Sequence, residues 1–506
     1  MELSPYKKHN YTFAVILGAM STISMPPFYM FIALLIGFSG FYITLSHAQN
    51  IKQAFYSGWW FGFGYFTTSL YWLAVPLIAQ SRIFWPLVPF AITIIPAILS
   101  LFFGMASSIV HFINCKKLYG LIILSLSFTI AGICIEIILP WNLLAYSWSF
   151  STEMLQTASL IGPHGMTFLA VLCSAAVGVS IQDKCILPCI ITLITLVSMY
   201  IYGSNRLLNQ EYKYYNDIAL RIVQGNIDHQ WDENEEQEYN TFQTYLGLTS
   251  KYGLNSRTHI IWGEGSFPLL TDKNNNLITN SIKFTIPKFL IASGTRYDKE
   301  SQKFHNTLFA INDNGKIIDY YDKYHLVPFG EFIPSILRSI VPRSITAGFS
   351  YNSGTEQKKL ISLNNNRMPF VPSICYESIF SNEMANKCIN GKWIINLTND
   401  GWFGISSQPY QHFEMSRMRS IENGLPTIRA ANTGISAVID SYGRIIHSLP
   451  IITEGIIDSY LPYHINNGTL YSRYISKFII PLFGLIIIAI LLWKIIFHRY
   501  RTIINT

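Results

Sequence analysis

Charge is nearly missing from the first 202 residues of this chain. They hold 11 charged side chains, although the 506-residue chain has 36 Lys and Arg and 29 Asp and Glu. So little charge excludes an ordinary soluble domain there, because such a domain needs a hydrated surface. Cysteine is scarce too. Of seven, Cys115, Cys134, Cys173, Cys185 and Cys189 lie in or beside apolar runs, and only Cys375 and Cys388 fall in the polar stretch that follows. No CxxC pair occurs, which excludes thioredoxin-like chemistry and a zinc site, and two cysteines do not make a disulfide scaffold. A Cys375–Cys388 bridge stays open in an oxidising compartment. Basic stripes interleaved with aromatics are absent, so the net charge of +7 does not point to nucleic acid. There is no internal repeat and no low-complexity tract.

What is present is apolar length. Mean hydropathy is +0.28, and a helix needs about 20 mostly apolar residues to cross a bilayer. Eight runs qualify: 11–27, 28–46, 56–78, 84–110, 119–139, 159–181, 186–202 and 476–493. The first two are split by Met25-Pro26-Pro27 and could form a re-entrant hairpin. The first lacks a small-residue cleavage site and reads as a span, not a removed signal peptide. Lys7, Lys8, Lys52, Lys116, Lys117, Lys184, Lys494, Arg499 and Arg501 mark one side, whereas the opposite loops offer only Arg82. The positive-inside rule then puts both termini in the cytoplasm and residues 203–474 outside, which in a bacterium is the periplasm. Within the spans, Glu136 near an outer end is either functional or structural, and His164 reads as interfacial. The tryptophans Trp59, Trp60, Trp72, Trp85, Trp141 and Trp148 read as belt and packing.

The polar stretch reads as α/β. Expected strands are 220–224, 259–262, 289–293, 307–311, 317–321, 370–374, 393–397 and 435–440, with helices over 234–251 and 409–424. Asn364-Asn365-Asn366 reads as a turn, and Arg417, Arg419 and Glu422 as a solvated or salt-bridged helix face. The expected order is a membrane domain over 1–202, a linker at 203–218, an outer domain over 219–458, a return linker at 459–475, a final span over 476–493 and a tail at 494–506.

Three strand ends carry chemistry. PFVPSICYESIF runs apolar into Ile374 and turns polar after Cys375, so a strand delivers a thiol to a sharp turn; a thiol with a base or cation beside it is a strong nucleophile. In HIIWGEGSFP, Glu264 follows a strand between two glycines, beside Trp262 and Phe267, where partial desolvation suits a general base. In YYDKYHLVPFGEFIP, Lys323 follows a strand and precedes a rigid turn, and a fixed ammonium can stabilise a thiolate or an oxyanion. Glu331 could hold that Lys or accept a proton. Asn399-Asp400-Gly401-Trp402-Phe403 follows another strand and could shape a pocket floor.

A strand-end Glu, Lys and Cys in that order resembles the nitrilase (carbon-nitrogen hydrolase) superfamily. YDKYHLVPFGEFIP, SICYES and NLTNDGWFG further resemble the apolipoprotein N-acyltransferases, over essentially the whole chain. The resemblance implies about eight spans in a polytopic α-helical membrane domain, joined to an α/β nitrilase-like four-layer α-β-β-α sandwich. It implies Glu264 as general base, Lys323 as oxyanion and thiolate stabiliser and Cys375 as nucleophile. Glu331, Tyr376, Glu377 and Trp231 match supporting positions. It implies no cofactor and no metal. Acyl donor and acceptor would be a phospholipid, phosphatidylethanolamine, and the N-terminal diacylglyceryl-cysteine of an apolipoprotein, used by a monomer of the inner membrane through a Cys375 thioester. The sequence departs from the family in three places. The stretch from QGNI to Trp231 is two residues shorter, WPE reads WGEG with Gly263 expected to loosen the backbone, and Leu425 stands where arginine is usual. A membrane-tethered amidase and a non-catalytic lipid-binding scaffold are the alternatives.

Overall fold

Away from water a backbone can satisfy its polar groups only within helices or closed sheets, and the apolar part of the chain is helical. In the computed structural model, the described residues are 5–475 apart from 81, 142–143, 209, 229–234, 270–274, 333–350, 358 and 364–367. Residues 477–478, 481, 484–486 and 488–489 are also described. The helices α1 (Pro5–Ser21), α2 (Phe31–Ser46), α3 (Ile51–Ser69), α4 (Ala74–Gln80), α5 (Val88–Ile113), α6 (Lys117–Ile138), α7 (Thr152–Leu155), α8 (Ala158–Gln182) and α9 (Leu187–Leu207) make up most of one unit, Met1–Leu208 with Arg473–Thr506. The second unit is Asn209–Ser472.

Among the described residues, four helices are long and apolar enough to cross a membrane: Phe84–Ile113, Lys117–Ile138, Ala158–Gln182 and Leu187–Leu207. A fifth results if Ile51–Ser69 and Tyr71–Ala79, bent by 55°, form one span. Tyr11–Ser24 and Phe31–Ser46 are apolar but shorter. By length, four or five of the seven segments expected before residue 203 reach a full span among the described residues, and the other two are the shorter apolar helices. Just before the break the Thr68 hydroxyl donates back to Gly64 O at 2.8 Å, a pattern that bends helices. Asn50 caps α3, its Oδ1 accepting from Gln53 N at 3.0 Å. Gly18 and Gly64 let α1 and α3 touch backbone to backbone: a Cβ on Gly18 would sit 1.9 Å from Phe61 O, and one on Gly64 2.1 Å from Val15 O. His164 is buried, with Nε2 3.2 Å from Glu136 on α6. Most of the expected last span and all of the tail lie outside the described residues.

In the second unit the strands are β1 (Tyr214–Gln224), β2 (His259–Trp262), β3 (Phe289–Asp298), β4 (Lys303–Asn312), β5 (Ile317–Asp322), β6 (Phe370–Ile374), β7 (Trp393–Thr398), β8 (Thr427–Ala431), β9 (Ser436–Ile439), β10 (Ile445–Leu449) and β11 (Gly455–Pro462). They form a six-stranded sheet of order β11-β1-β2-β3-β4-β5 and a five-stranded sheet of order β10-β9-β8-β7-β6. The first has a parallel centre (β1-β2-β3) with antiparallel strands on both sides, whereas in the second the parallel strands β6-β7-β8 run to one edge and β9 and β10 add antiparallel at the other.

Side chains alternate across a strand, and here both faces are apolar. Ile222, Ile261, Ile291 and Leu308 share one core with Ile374, Ile395, Ile428 and Val438 of the other sheet. Val223, Ile260, Trp262 and Leu290 point the opposite way, onto Phe242 and Tyr245 of α10 (Glu235–Thr249) and Ile278 and Ile282 of α11 (Asn275–Thr285). Beyond the second sheet, Val371 and Ile394 meet Met384 of α12 (Ser381–Lys387), and Ala437 and Ile439 meet Phe413 of α13 (Gln408–Asn423).

The stretch 203–218, expected as a linker, ends α9 and begins β1, while 459–475 contains the end of β11 and a short π turn over Tyr471–Ile475. Helix α13 is not solvated. Its polar residues are buried and pair among themselves, Arg419 with Glu422 at 2.9 Å and Arg417 with Glu414 at 3.2 Å. Asn364-Asn365-Asn366 lie outside the described residues.

Candidate active site

Strand ends assemble this site. Glu264 follows β2, Lys323 follows β5 and Cys375 follows β6. The Glu264 carboxylate accepts from Asn306 Nδ2 at 2.8 Å and Lys323 Nζ at 3.4 Å through Oε1, and from Asn399 N at 2.8 Å through Oε2. Three donors on two oxygens fix its plane. Lys323 is 1% exposed and gives its shorter bond, 2.9 Å, to Glu331 Oε1. Glu331 is tied in turn by Asn306 Nδ2 and Val327 N, both at 2.8 Å. The Lys323 backbone is clamped on both sides: its N–H donates to Asn306 O and its carbonyl accepts from Gly354 N, each at 2.8 Å.

The electrostatics follow from that packing. Burial alone would lower the Lys323 ammonium, but Glu331 and then Glu264 outweigh it and hold its pKa above the usual lysine value. Burial pushes the Cys375 thiol up, the Glu264 carboxylate adds to the push, and Lys323 works against it. Cys375 thus sits within the field of both partners. A thiol pushed up in this way ionises only when a base takes its proton.

Cys375 occupies the left-handed region, φ +47°. A non-glycine residue there is strained by about 1–3 kcal/mol and must be held by its surroundings. Glu377 does part of the holding. Its Oε2 accepts from Ile374 N at 2.8 Å, and its Oε1 accepts from Tyr321 Oη at 2.6 Å and Tyr324 N at 2.9 Å. One buried carboxylate therefore pins the thiol turn to the loop after Lys323. Tyr376 packs edge-on to Phe380, with centroids 5.2 Å apart.

The departures noted in the sequence have physical readings. A Cβ on Gly263 would lie 2.9 Å from Ala431 C and Asn432 N and 3.0 Å from Tyr245 Oη, so the glycine marks a close backbone approach and not a loosened segment. Leu425 is buried among Val371, Met384, Cys388 and Ile394, an apolar position. Cys375 and Cys388 are both free thiols. Trp231 lies outside the described residues. Asn306, which touches both carboxylates, was not foreseen. It lies in the polar segment His305-Asn306-Thr307, just before the apolar residues Leu308–Ile311 of β4, and so carries no distinctive sequence signal. Asp400 belongs to a buried cluster with His412 and Arg429.

Residues 17–176 match the apolipoprotein N-acyltransferase N-terminal domain family, and residues 288–462 match the carbon-nitrogen hydrolase family. The chain is 34% identical to an apolipoprotein N-acyltransferase of Rhodopseudomonas palustris, over 95% of this chain and 94% of that one. It is 35% identical to one from Bradyrhizobium diazoefficiens, over 91% and 90%. It is 32% identical to one from Rickettsia typhi, over 91% and 93%.

Proposed function

This chain belongs to the apolipoprotein N-acyltransferase family, and on that premise we propose that it moves an acyl chain from a phospholipid to a lipoprotein by a ping-pong reaction through Cys375. It is an acyltransferase of lipoprotein maturation and a membrane protein with a nitrilase-like domain. The observation that carries the mechanism is the Glu264 carboxylate, held by Asn306, Asn399 and Lys323 within the field of the Cys375 thiol.

Glu264 takes the thiol proton, and the thiolate attacks the ester carbonyl of the donor. The oxyanion meets the Lys323 ammonium and the Tyr376 N–H. Collapse breaks the ester C–O bond. The leaving alkoxide takes the proton from Glu264 and departs as lysophospholipid, leaving a thioester. The α-amine of a diacylglyceryl-cysteine then attacks the thioester, losing its proton to Glu264. The C–S bond breaks, the sulfur is reprotonated, and an amide leaves. Glu331 and Asn306 hold Lys323 and Glu264 in register, and Glu377 holds the turn; Tyr376 contributes its backbone, and Trp231 keeps the supporting role that the family resemblance implies.

Phosphatidylethanolamine as the donor rests on family resemblance alone. Phe329, two residues before Glu331, and Ile405, just past the 400–403 turn, leave 45% and 83% of their surface exposed, which suits apolar substrates. The clusters on both faces of both sheets support an α-β-β-α sandwich of four layers. The Lys and Arg distribution supports cytoplasmic termini, a periplasmic catalytic domain and a total of eight spans. Base, ammonium and nucleophile all come from one chain, which supports a monomer.

Initial-rate kinetics test the scheme. With labelled phosphatidylethanolamine varied at several fixed concentrations of a diacylglyceryl-cysteine peptide, double-reciprocal plots are parallel. Intersecting lines would mean that both substrates must be bound together, and the ping-pong scheme would fail.

A further inference from the structure

We propose that His412, anchored by Asp400, is a positioning residue for this transfer: it fixes the Cys375 carbonyl and thereby aims the Tyr376 N–H at the oxyanion. The inference rests on Cys375 being the nucleophile. A peptide unit is planar and trans, so the Cys375 C=O and the Tyr376 N–H point in opposite directions and turn as one body. Tyr376 is the second residue of the 3₁₀ turn Cys375–Ile379. Its N–H therefore precedes the first bond inside the turn and is free to face a ligand.

That peptide turns about ψ of Cys375 and φ of Tyr376, so a hold on its carbonyl fixes its N–H as well. Three donors hold it: His412 Nε2 at 3.1 Å, Ser378 Oγ at 3.2 Å and Asn396 Nδ2 at 3.5 Å. A carbonyl can only accept, so Nε2 is the donor. The ring is fixed from its other side, with Nδ1 2.8 Å from Asp400 Oδ1 and 3.2 Å from Arg429 Nη2. Asp400 Oδ2 accepts from the same Nη2 at 2.8 Å. Arg429 is itself tied to Ile435 O at 3.1 Å, to Ser416 Oγ at 3.0 Å and to the Asn396 side chain. Burial favours the neutral acid at Asp400, but His412 and Arg429 prevail and hold its carboxyl below the usual range. His412 and Asp400 are each 1% exposed and Arg429 is 0% exposed. None of the three can touch a substrate, so their effect on the reaction passes through the Cys375 peptide.

Two variants of the full-length protein separate aim from packing. His412→Asn keeps an amide toward Asp400 but removes the donor at Nε2. His412→Gln returns a donor near that point. With labelled phosphatidylethanolamine vesicles and a diacylglyceryl-cysteine peptide, His412→Asn lowers kcat about tenfold to a hundredfold at unchanged KM, the effect of a misaimed group. His412→Gln recovers most of the loss. A kcat for His412→Asn within about twofold of the parent, or a Gln variant as impaired as the Asn variant, overturns the proposal. If His412→Asn does not fold, Ser378→Ala decides: it removes one hydroxyl donor from the same carbonyl, and a fall in kcat at constant KM supports the proposal whereas an unchanged kcat overturns it. Failure of the underlying reading looks different, because the parent protein would then transfer acyl chains without ever carrying one on Cys375.

Discussion

Replacing Cys375 by serine lowers N-acylation of a diacylglyceryl-cysteine peptide by on the order of 10⁴-fold or more, the size of loss seen when a covalent nucleophile is removed. The change is one atom. The turn is held by Glu377 through the backbone of Ile374 and Tyr324 and the hydroxyl of Tyr321, none of which involves the sulfur. Folding is therefore retained, and thermal unfolding checks it. Serine is a far weaker nucleophile than a thiolate, because its hydroxyl ionises far less readily than a thiol. Transfer that survives in the serine variant within about tenfold of the parent would remove Cys375 from the chemistry.

Lys323→Met gives the second large effect, on two axes. Loss of the ammonium removes an oxyanion donor and lowers kcat by about 10²–10³-fold. It also leaves Glu264 and Glu331 facing one another with only Asn306 between them, and unpairing buried charge costs about 3–5 kcal/mol of stability. Because the Lys323 pKa is raised, its contribution is complete at neutral pH and fades only as pH climbs through a value above the ordinary lysine range. The stability deficit is therefore flat across neutral pH. Adding Glu331→Gln to Lys323→Met restores much of the stability, since one carboxylate is gone, but none of the turnover. If the double variant regains activity along with stability, Lys323 is a structural cation and not part of the reaction.

Strand ends were readable because an apolar run that stops abruptly at a polar residue has one simple meaning in a sheet covered on both faces. β2 and β6 begin and end where the apolar runs do, which is why Glu264 and Cys375 could be placed at strand ends from sequence. Residues 203–218 were misread because α9 ends in a polar turn and β1 opens with its most exposed residues. Their composition is that of a loop, and only pairing with β11 makes 214–217 strand. The burial of α13, whose helix the sequence shows, was hidden for the opposite reason. Its Arg and His side chains look solvated until partners distant in sequence arrive, Gly443 for Arg417 and Asp400 and Arg429 for His412. His412 carries no local sign of its contact with Cys375, because 37 residues separate the two. The bend after α3 was likewise invisible to a hydropathy count, which carries no information on backbone hydrogen bonding.

The most direct measurement is the mass of the intact protein after incubation with phospholipid bearing a labelled acyl chain and no acceptor. The account predicts one added acyl group, released by hydroxylamine, mapped to the peptide containing Cys375 and discharged when a diacylglyceryl-cysteine peptide is added. Full transfer activity with no acyl group ever found on that peptide would contradict it.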